Sequence, residues 1–147
     1  MYHRILVATD GSNLSDKSVS SAIELAALCK AELVVLKVVP RYPQSYFEGG
    51  IALQPDEIAR VEKQWADEGQ AVVDAVQKTA QEKGVTTKAI TLQGDVVSEA
   101  ILAAAQQQQC DLIVMASHGR KGITRLLLGS ETQHVLTYAT VPVLILK

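Results

Sequence analysis

The chain has 147 residues, 48% of them hydrophobic and 20% charged, with a net charge of −2. That is the size of one ordinary domain with enough apolar material for a buried core, and the slightly acidic balance argues against nucleic acid or an anionic membrane as a partner. No apolar run approaches the roughly 20 residues of a membrane-spanning helix, and the opening MYHRILVATD lacks the long apolar stretch of a secretion signal. Cys29 and Cys110 stand far apart and form no CxxC pair. Two isolated thiols suit small core side chains in a reducing cytoplasm better than a disulfide framework, so a cytoplasmic location is expected.

Apolar runs and helical patterns alternate along the chain. HRILVATD reads as a first strand ending at Asp10-Gly11-Ser12. Val19, Ala22, Ile23, Ala26 and Ala27 follow at helical spacing. ELVVLKVVP is a second buried strand closed by Pro40, and RYPQSYFEGGIALQ, with Pro43 and Gly49-Gly50, reads as a loop. Pro55 suits the first turn of a long helix whose inner face carries Ile58, Val61, Trp65, Val72, Val73, Val76 and Ala80, with Gly84 as its stop. On this reading Trp65 is a core residue.

TTKAITLQ alternates and is more polar, as an edge strand does. GDVVSEAILAAAQQQQ predicts a third helix with Val97, Ile101, Leu102 and Ala105 inward; DLIVMAS is a fourth strand. Thr132, Val135, Leu136 and Ala139 mark the inner face of a fourth helix, and VPVLILK closes the chain as a fifth strand. The βαβαβαβαβ order implies a single α/β domain over residues 1–147, a doubly wound five-stranded parallel sheet with helices on both faces. The last strand is almost wholly apolar. An exposed apolar edge invites a partner, so a homodimer through Val141–Leu146 is expected.

In open parallel sheets, ligands bind beyond the carboxyl ends of the strands where strand order reverses. The first and fourth strands flank that point, and their ends are ATDGS and MASHG. Asp10 and Ser12 are candidates to cap the following helix; the position of Asp10 at the switch point also suits ribose or a metal–phosphate group. Ser130 and Gln133 match a capping box, S-x-x-Q, at a helix start whose free N–H groups favour an anion. Arg120, Lys121 and Arg125 are accessory charges at most. The Walker A and GxGxxG spacings are absent, which argues against a standard P-loop or dinucleotide enzyme. Ser117 and His118 have the chemistry of a nucleophile and a base, but neighbours on an extended chain point to opposite sides, so they are not expected to pair. His3 and His134 read as surface or packing residues, and no cluster has metal-ligand spacing.

At ILVATDGS, LVVLKVV and MASHGRKG…LLLGSETQHVL…VPVLIL, the sequence resembles the universal stress protein family over essentially its whole length. Nucleotide-binding members carry G-x2-G-x9-G-[ST]; the matching positions are Ala116, Gly119, Gly129 and Ser130, with alanine in place of the first glycine and Gly122 inside the spacer. The resemblance implies the strand order 3-2-1-4-5, usually a dimer, and ATP across the ends of the first and fourth strands. It implies Ala8, Thr9 and Asp10 beside the nucleotide, the Val38 backbone at adenine, Met115 flanking base and ribose, and Ala116 with its Cβ against ribose or phosphate. It places the phosphates on the amides of Gly119, Gly129, Ser130 and Glu131, with Mg2+ held mainly by the phosphates and the Tyr42–Phe47 loop over the base. The function implied is an ATP-binding regulatory module of the stress response with at most weak ATPase activity. The alternatives are a dimeric interaction protein that retains no nucleotide and a slow adenine-nucleotide hydrolase.

Overall fold

The computed structural model describes residues 1–43, 54–118 and 128–147. Its strands are β1 (Arg4–Ala8), β2 (Glu32–Val39), β3 (Thr87–Gln93), β4 (Leu112–Ala116) and β5 (Val143–Leu146). Its helices are α1 (Asn13–Cys29), α2 (Pro55–Glu82), α3 (Val97–Gln107) and α4 (Ser130–Tyr138). Neighbouring strands are parallel throughout, in the order β3-β2-β1-β4-β5. This is the doubly wound α/β sheet expected from the alternation of apolar runs and helical patterns. None of the described helices is long and apolar enough to cross a membrane.

Successive strand side chains point to opposite faces, so the continuous apolar runs fill two cores. Ile5, Val7, Leu33, Val35 and Val114 meet Val19, Ala22, Ile23, Ala26, Val73 and Ala80 of α1 and α2. Leu6, Val34, Leu36, Ile113 and Met115 meet Ile101, Ala104, Ala105 and Val135 of α3 and α4. Each of the larger side chains contributes about 1.5–3 kcal/mol on burial.

Local chemistry sets the helix ends. Ser12 caps α1, its side chain accepting from the Ser15 N–H at 3.2 Å. Pro55 occupies the first turn of α2, and Gly84 follows the helix with φ +77°, a left-handed conformation that favours glycine.

Four inward assignments change. Val97 is 40% exposed and Leu136 42% exposed, because Ser98 and Ile101 turn α3 inward and Thr132 and Val135 do so for α4. Ala27 is exposed on α1. Trp65 is half-buried and stacks on Tyr42, ring centroids 6.2 Å apart; the first half of α2 buries no residue, since Gly69 is the first on that helix to do so.

At the amino ends of the strands, Asp111 stitches β1 to β4. Its carboxylate accepts from the N–H groups of His3 and Arg4 at 2.8 and 3.0 Å, and its own N–H donates to the Arg4 carbonyl at 2.9 Å. The Arg4 guanidinium spans from Glu32, at 2.8 Å, to the Gln108 carbonyl, at 2.6 Å. Partial burial raises the Asp111 pKa, but the backbone donors outweigh it and the net shift is downward. A carboxylate with a depressed folded-state pKa adds stability above its unfolded pKa, and that stability is lost as pH falls through the folded value. Asp111→Asn is therefore expected to cost about 1 kcal/mol at pH 7, a low value because the group is open to solvent. Thermal melts should show the gap to the parent closing below about pH 4, and equal stability at pH 7 would refute the clamp.

Candidate functional site

β1 and β4 are neighbours, while the chain leaves β1 for α1 on one face and leaves β4 for α4 on the other. The connections diverge and leave a crevice at the carboxyl ends of these strands. A cleft of about 510 Å3 lies there, within the roughly 300–1,000 Å3 typical of small-molecule sites. Of the ten residues singled out in the sequence, Ala8, Thr9, Asp10, Val38, Met115, Ala116, Gly129, Ser130 and Glu131 all line it. Gly119 lies outside the described residues, as do Arg120, Lys121, Gly122, Arg125 and the part of the Tyr42–Phe47 loop beyond Pro43.

The β1 side of the cleft is braced by short-range hydrogen bonds. The Thr9 N–H donates to the Leu36 carbonyl at 2.9 Å, continuing the β1–β2 ladder by one step. The Thr9 and Ser15 hydroxyls are 3.2 Å apart, and the Gly11 N–H reaches the Thr9 hydroxyl at 3.2 Å. Asp10 accepts from the Ser12 N–H at 2.9 Å. Asp10 thus shapes the turn, and Ser12 is the cap. Gly11 has φ +79°, which lets this turn close tightly over the strand end.

The β4 side is built on Thr132. Its buried hydroxyl lies 3.0 Å from the Ala116 carbonyl and 3.1 Å from that of Ser117, donating between them. The Gly129 N–H donates to the Ser117 carbonyl at 2.8 Å. This changes the role read for Gly129: its amide is used to pin the start of α4 against β4. Its φ of −61° is ordinary, and space favours glycine, because a Cβ there would sit a tight 3.3 Å from the Ser117 carbonyl oxygen. The expected capping box does not form. Gly129 is the N-cap of α4, Ser130 is its first helical residue, and the Gln133 amide donates to the Leu128 carbonyl at 2.9 Å. Ala116 ends β4, and the only described non-glycine residues with positive φ are Lys30 and Gln109. Alanine at the first pattern position therefore carries no backbone strain.

Three helix N-termini surround the cleft, and they are finished differently. α1 is closed by Ser12. α3 has no cap of its own, and Glu131 supplies one from α4, its carboxylate accepting from the Ser98 N–H at 2.6 Å. The Ser98 hydroxyl in turn lies 2.9 Å from His134 Nδ1, and His134 packs edge-on against Tyr138. Among the described residues, no side chain caps α4. The first-turn N–H groups of Ser130 and Glu131 have no acceptor within their own helix, and both residues line the cleft.

Ser117 and His118 do meet: the Ser117 hydroxyl is 3.0 Å from His118 Nδ1. Alternation stops at Ala116, where the strand ends and the chain bends, so the two side chains turn together. His118 Nε2 is buried and has no hydrogen-bond partner among the described residues. Among the described residues, no group of three His, Cys, Asp or Glu is placed to hold a metal ion.

The cleft also uses residues that the sequence reading left out: Ser15, Leu36, Lys37, Val97, Ile101 and Thr132. Lys37 carried a signal, as the single charge interrupting an apolar strand. Val97 and Thr132 were read as core, because an apolar wall that faces a cleft has the same periodicity as one that faces a sheet.

Compared with known families, the chain matches the Universal stress protein family over residues 1–147. A universal stress protein of Methanocaldococcus jannaschii is 35% identical over 147 residues, covering 100% of this chain and 83% of that protein. Among solved structures, a universal stress protein from Lactobacillus plantarum superposes with a TM-score of 0.84 at 22% identity, covering 99% of this chain and 98% of the other. A universal stress protein in complex with cAMP gives a TM-score of 0.72 at 24% identity over 99% and 97% of the two chains. The strand order, the crevice between β1 and β4 and a match along its full length agree: the chain belongs to the universal stress protein family.

Proposed function

We propose that this chain is a cytoplasmic stress-response module that binds ATP in the β1–β4 cleft and signals through its nucleotide state. The observation that carries the reading is the α4 N-terminus. Among the described residues it is the helix start at the cleft that no side chain caps, and it opens on a cavity large enough for a nucleotide. The solved relative that holds cAMP lends support from outside, since it shares the fold and its ligand is an adenine nucleotide. Free Cys29 and Cys110 suit the cytoplasm.

In this reading the β1 end, Ala8 to Asp10, lies beside the nucleotide, Val38 borders the base, Met115 flanks base and ribose, and the Ala116 Cβ borders ribose or phosphate. The Ser130 and Glu131 amides, with the Ser130 hydroxyl, take the phosphates. Mg2+ rides mainly on the phosphates. Glu131 does not oppose them strongly, because its carboxylate is drawn to the Ser98 N–H. The reading makes the protein a binding module first, with hydrolysis slow at most.

Gly129→Val is a poor probe, since even its Cβ would crowd the Ser117 carbonyl. Ser130→Asp is cleaner. Ser130 is exposed, and an acidic residue is favourable in the first turn of a helix, so the fold is kept while phosphate is repelled. Calorimetry with ATP and Mg2+ should show affinity falling about tenfold or more, that is ~1.4 kcal/mol. Parent-like affinity in a folded variant would sink the phosphate assignment.

The same reading includes a homodimer through Val141–Leu146. β5 pairs with β4 along one edge, and Leu144 is 40% exposed on it. Val143 and Ile145 pack inward, so Leu144→Lys tests the edge without wounding the core. Light scattering should report a dimer for the parent and half that mass for the variant. A dimer mass unchanged in Leu144→Lys would place any interface elsewhere.

A further inference from the structure

A second cavity of about 220 Å3 opens beside the first, between the overhanging end of β2 and the amino-terminal half of α2. β1 stops pairing with β2 at Ala8, opposite Leu36, while β2 runs on through Lys37, Val38 and Val39 with β3 alone. Over this overhang the sheet has no β1 to separate its two faces. Val38 lines the main cleft, Val39 lines the second cavity, and Lys37 and Asp10 line both. The two cavities therefore adjoin around the end of β1.

The second cavity has its own chemistry. Trp65 forms a wall and is backed by Tyr42, whose ring is stacked on it at an interplanar angle of 17°. Glu68 adds a carboxylate. Gly69 is where α2 comes down on β2: a Cβ there would meet Val39 at 2.9 Å and the Lys37 stem at 3.2 Å. At about 220 Å3 the space is below the roughly 300–1,000 Å3 of sites that hold a whole small molecule. It suits one part of a larger ligand. A stacked aromatic wall takes a planar ring, because every nucleobase presents a π face. Lys37, at the junction, puts a cation on the path that a linking polyphosphate would follow.

We infer that the second cavity is an annex of the nucleotide cleft and takes the second base of a two-headed ligand, a dinucleoside polyphosphate. This rests on the nucleotide reading of the main cleft. The first base and the adjoining phosphates occupy the main cleft, the polyphosphate passes Lys37, and the second base stacks on Trp65.

Trp65 is the sole tryptophan of the chain, so tryptophan emission, excited beyond the tyrosine absorption, reports on this cavity. ATP and diadenosine tetraphosphate, each with Mg2+, would be titrated against the full chain by calorimetry and by tryptophan emission. ATP should bind and leave the emission unchanged. The dinucleotide should alter the emission and bind about tenfold more tightly, the worth of one base stacked on an aromatic side chain. Trp65→Leu, shown to be folded by its melting curve, should lose that gain and keep parent affinity for ATP. Equal affinity for the two nucleotides with unmoved emission overturns the annex, as does a gain that survives Trp65→Leu. In both of those cases ATP still binds. Failure of the underlying reading looks different: neither nucleotide gives heat, and the annex falls with the cleft.

Discussion

The parallel pairing of β1 with β4 is the constraint on which the site depends. Ile5, Leu6 and Val7 pair with Leu112, Ile113 and Val114, and all six side chains are buried. A strand pair covered on both faces can be left only at its ends. The amino ends are sealed by Asp111 and Arg4, whose polar groups find partners in one another, in Glu32 and in neighbouring backbone. At the carboxyl ends the connections go to opposite faces and cannot cover the gap between them. One end of the sheet is thus fixed by charge-assisted hydrogen bonds, and the other is open by topology. The cleft follows from the strand order before any particular side chain is considered.

The fold was legible because each β-strand in the middle of the sheet is buried on both faces, which forces an unbroken apolar run such as ELVVLKVV. Thr87–Gln93 alternates, and it lies at an edge. The helix faces were harder to read. Val97 and Leu136 kept the periodicity of core residues yet are substantially exposed. Val97 borders the cleft, and a hydropathy pattern does not separate a wall facing a ligand from one facing the sheet. Trp65 failed for a related reason, since a large side chain on the apolar face of a long helix can lie beyond the edge of the core.

The strand ends of the site were legible from their place at the switch point. What fastens them was not. Glu131 caps a helix that begins 34 residues earlier, at Val97, and Thr132 joins its hydroxyl to two carbonyls at the end of β4. Such contacts depend on tertiary proximity and leave no local pattern. Where a local pattern did exist, as in Ser130 and Gln133, the geometry chose otherwise. The Gly129 N–H was drawn to the Ser117 carbonyl, which set the helix start one residue earlier than the serine cap required.

A chain of net charge −2 has no global field to gather an anion, so any affinity for phosphate must be local. The arrangement around the cleft supplies this by subtraction. Ser12 uses its side chain on α1, and Glu131 turns its carboxylate to α3. The starts of α1 and α3 thereby each have an N–H met within the protein, and the Glu131 carboxylate is held on the Ser98 N–H. Among the described residues, no side chain caps the partial positive charge of α4 on the side that faces the cavity. A serine or aspartate cap at Gly129 would strengthen the helix and close that opening. It would also bring a Cβ against Ser117. The glycine therefore serves packing and keeps the helix start uncapped, and the same atom-level constraint that holds α4 on β4 leaves room there for a ligand.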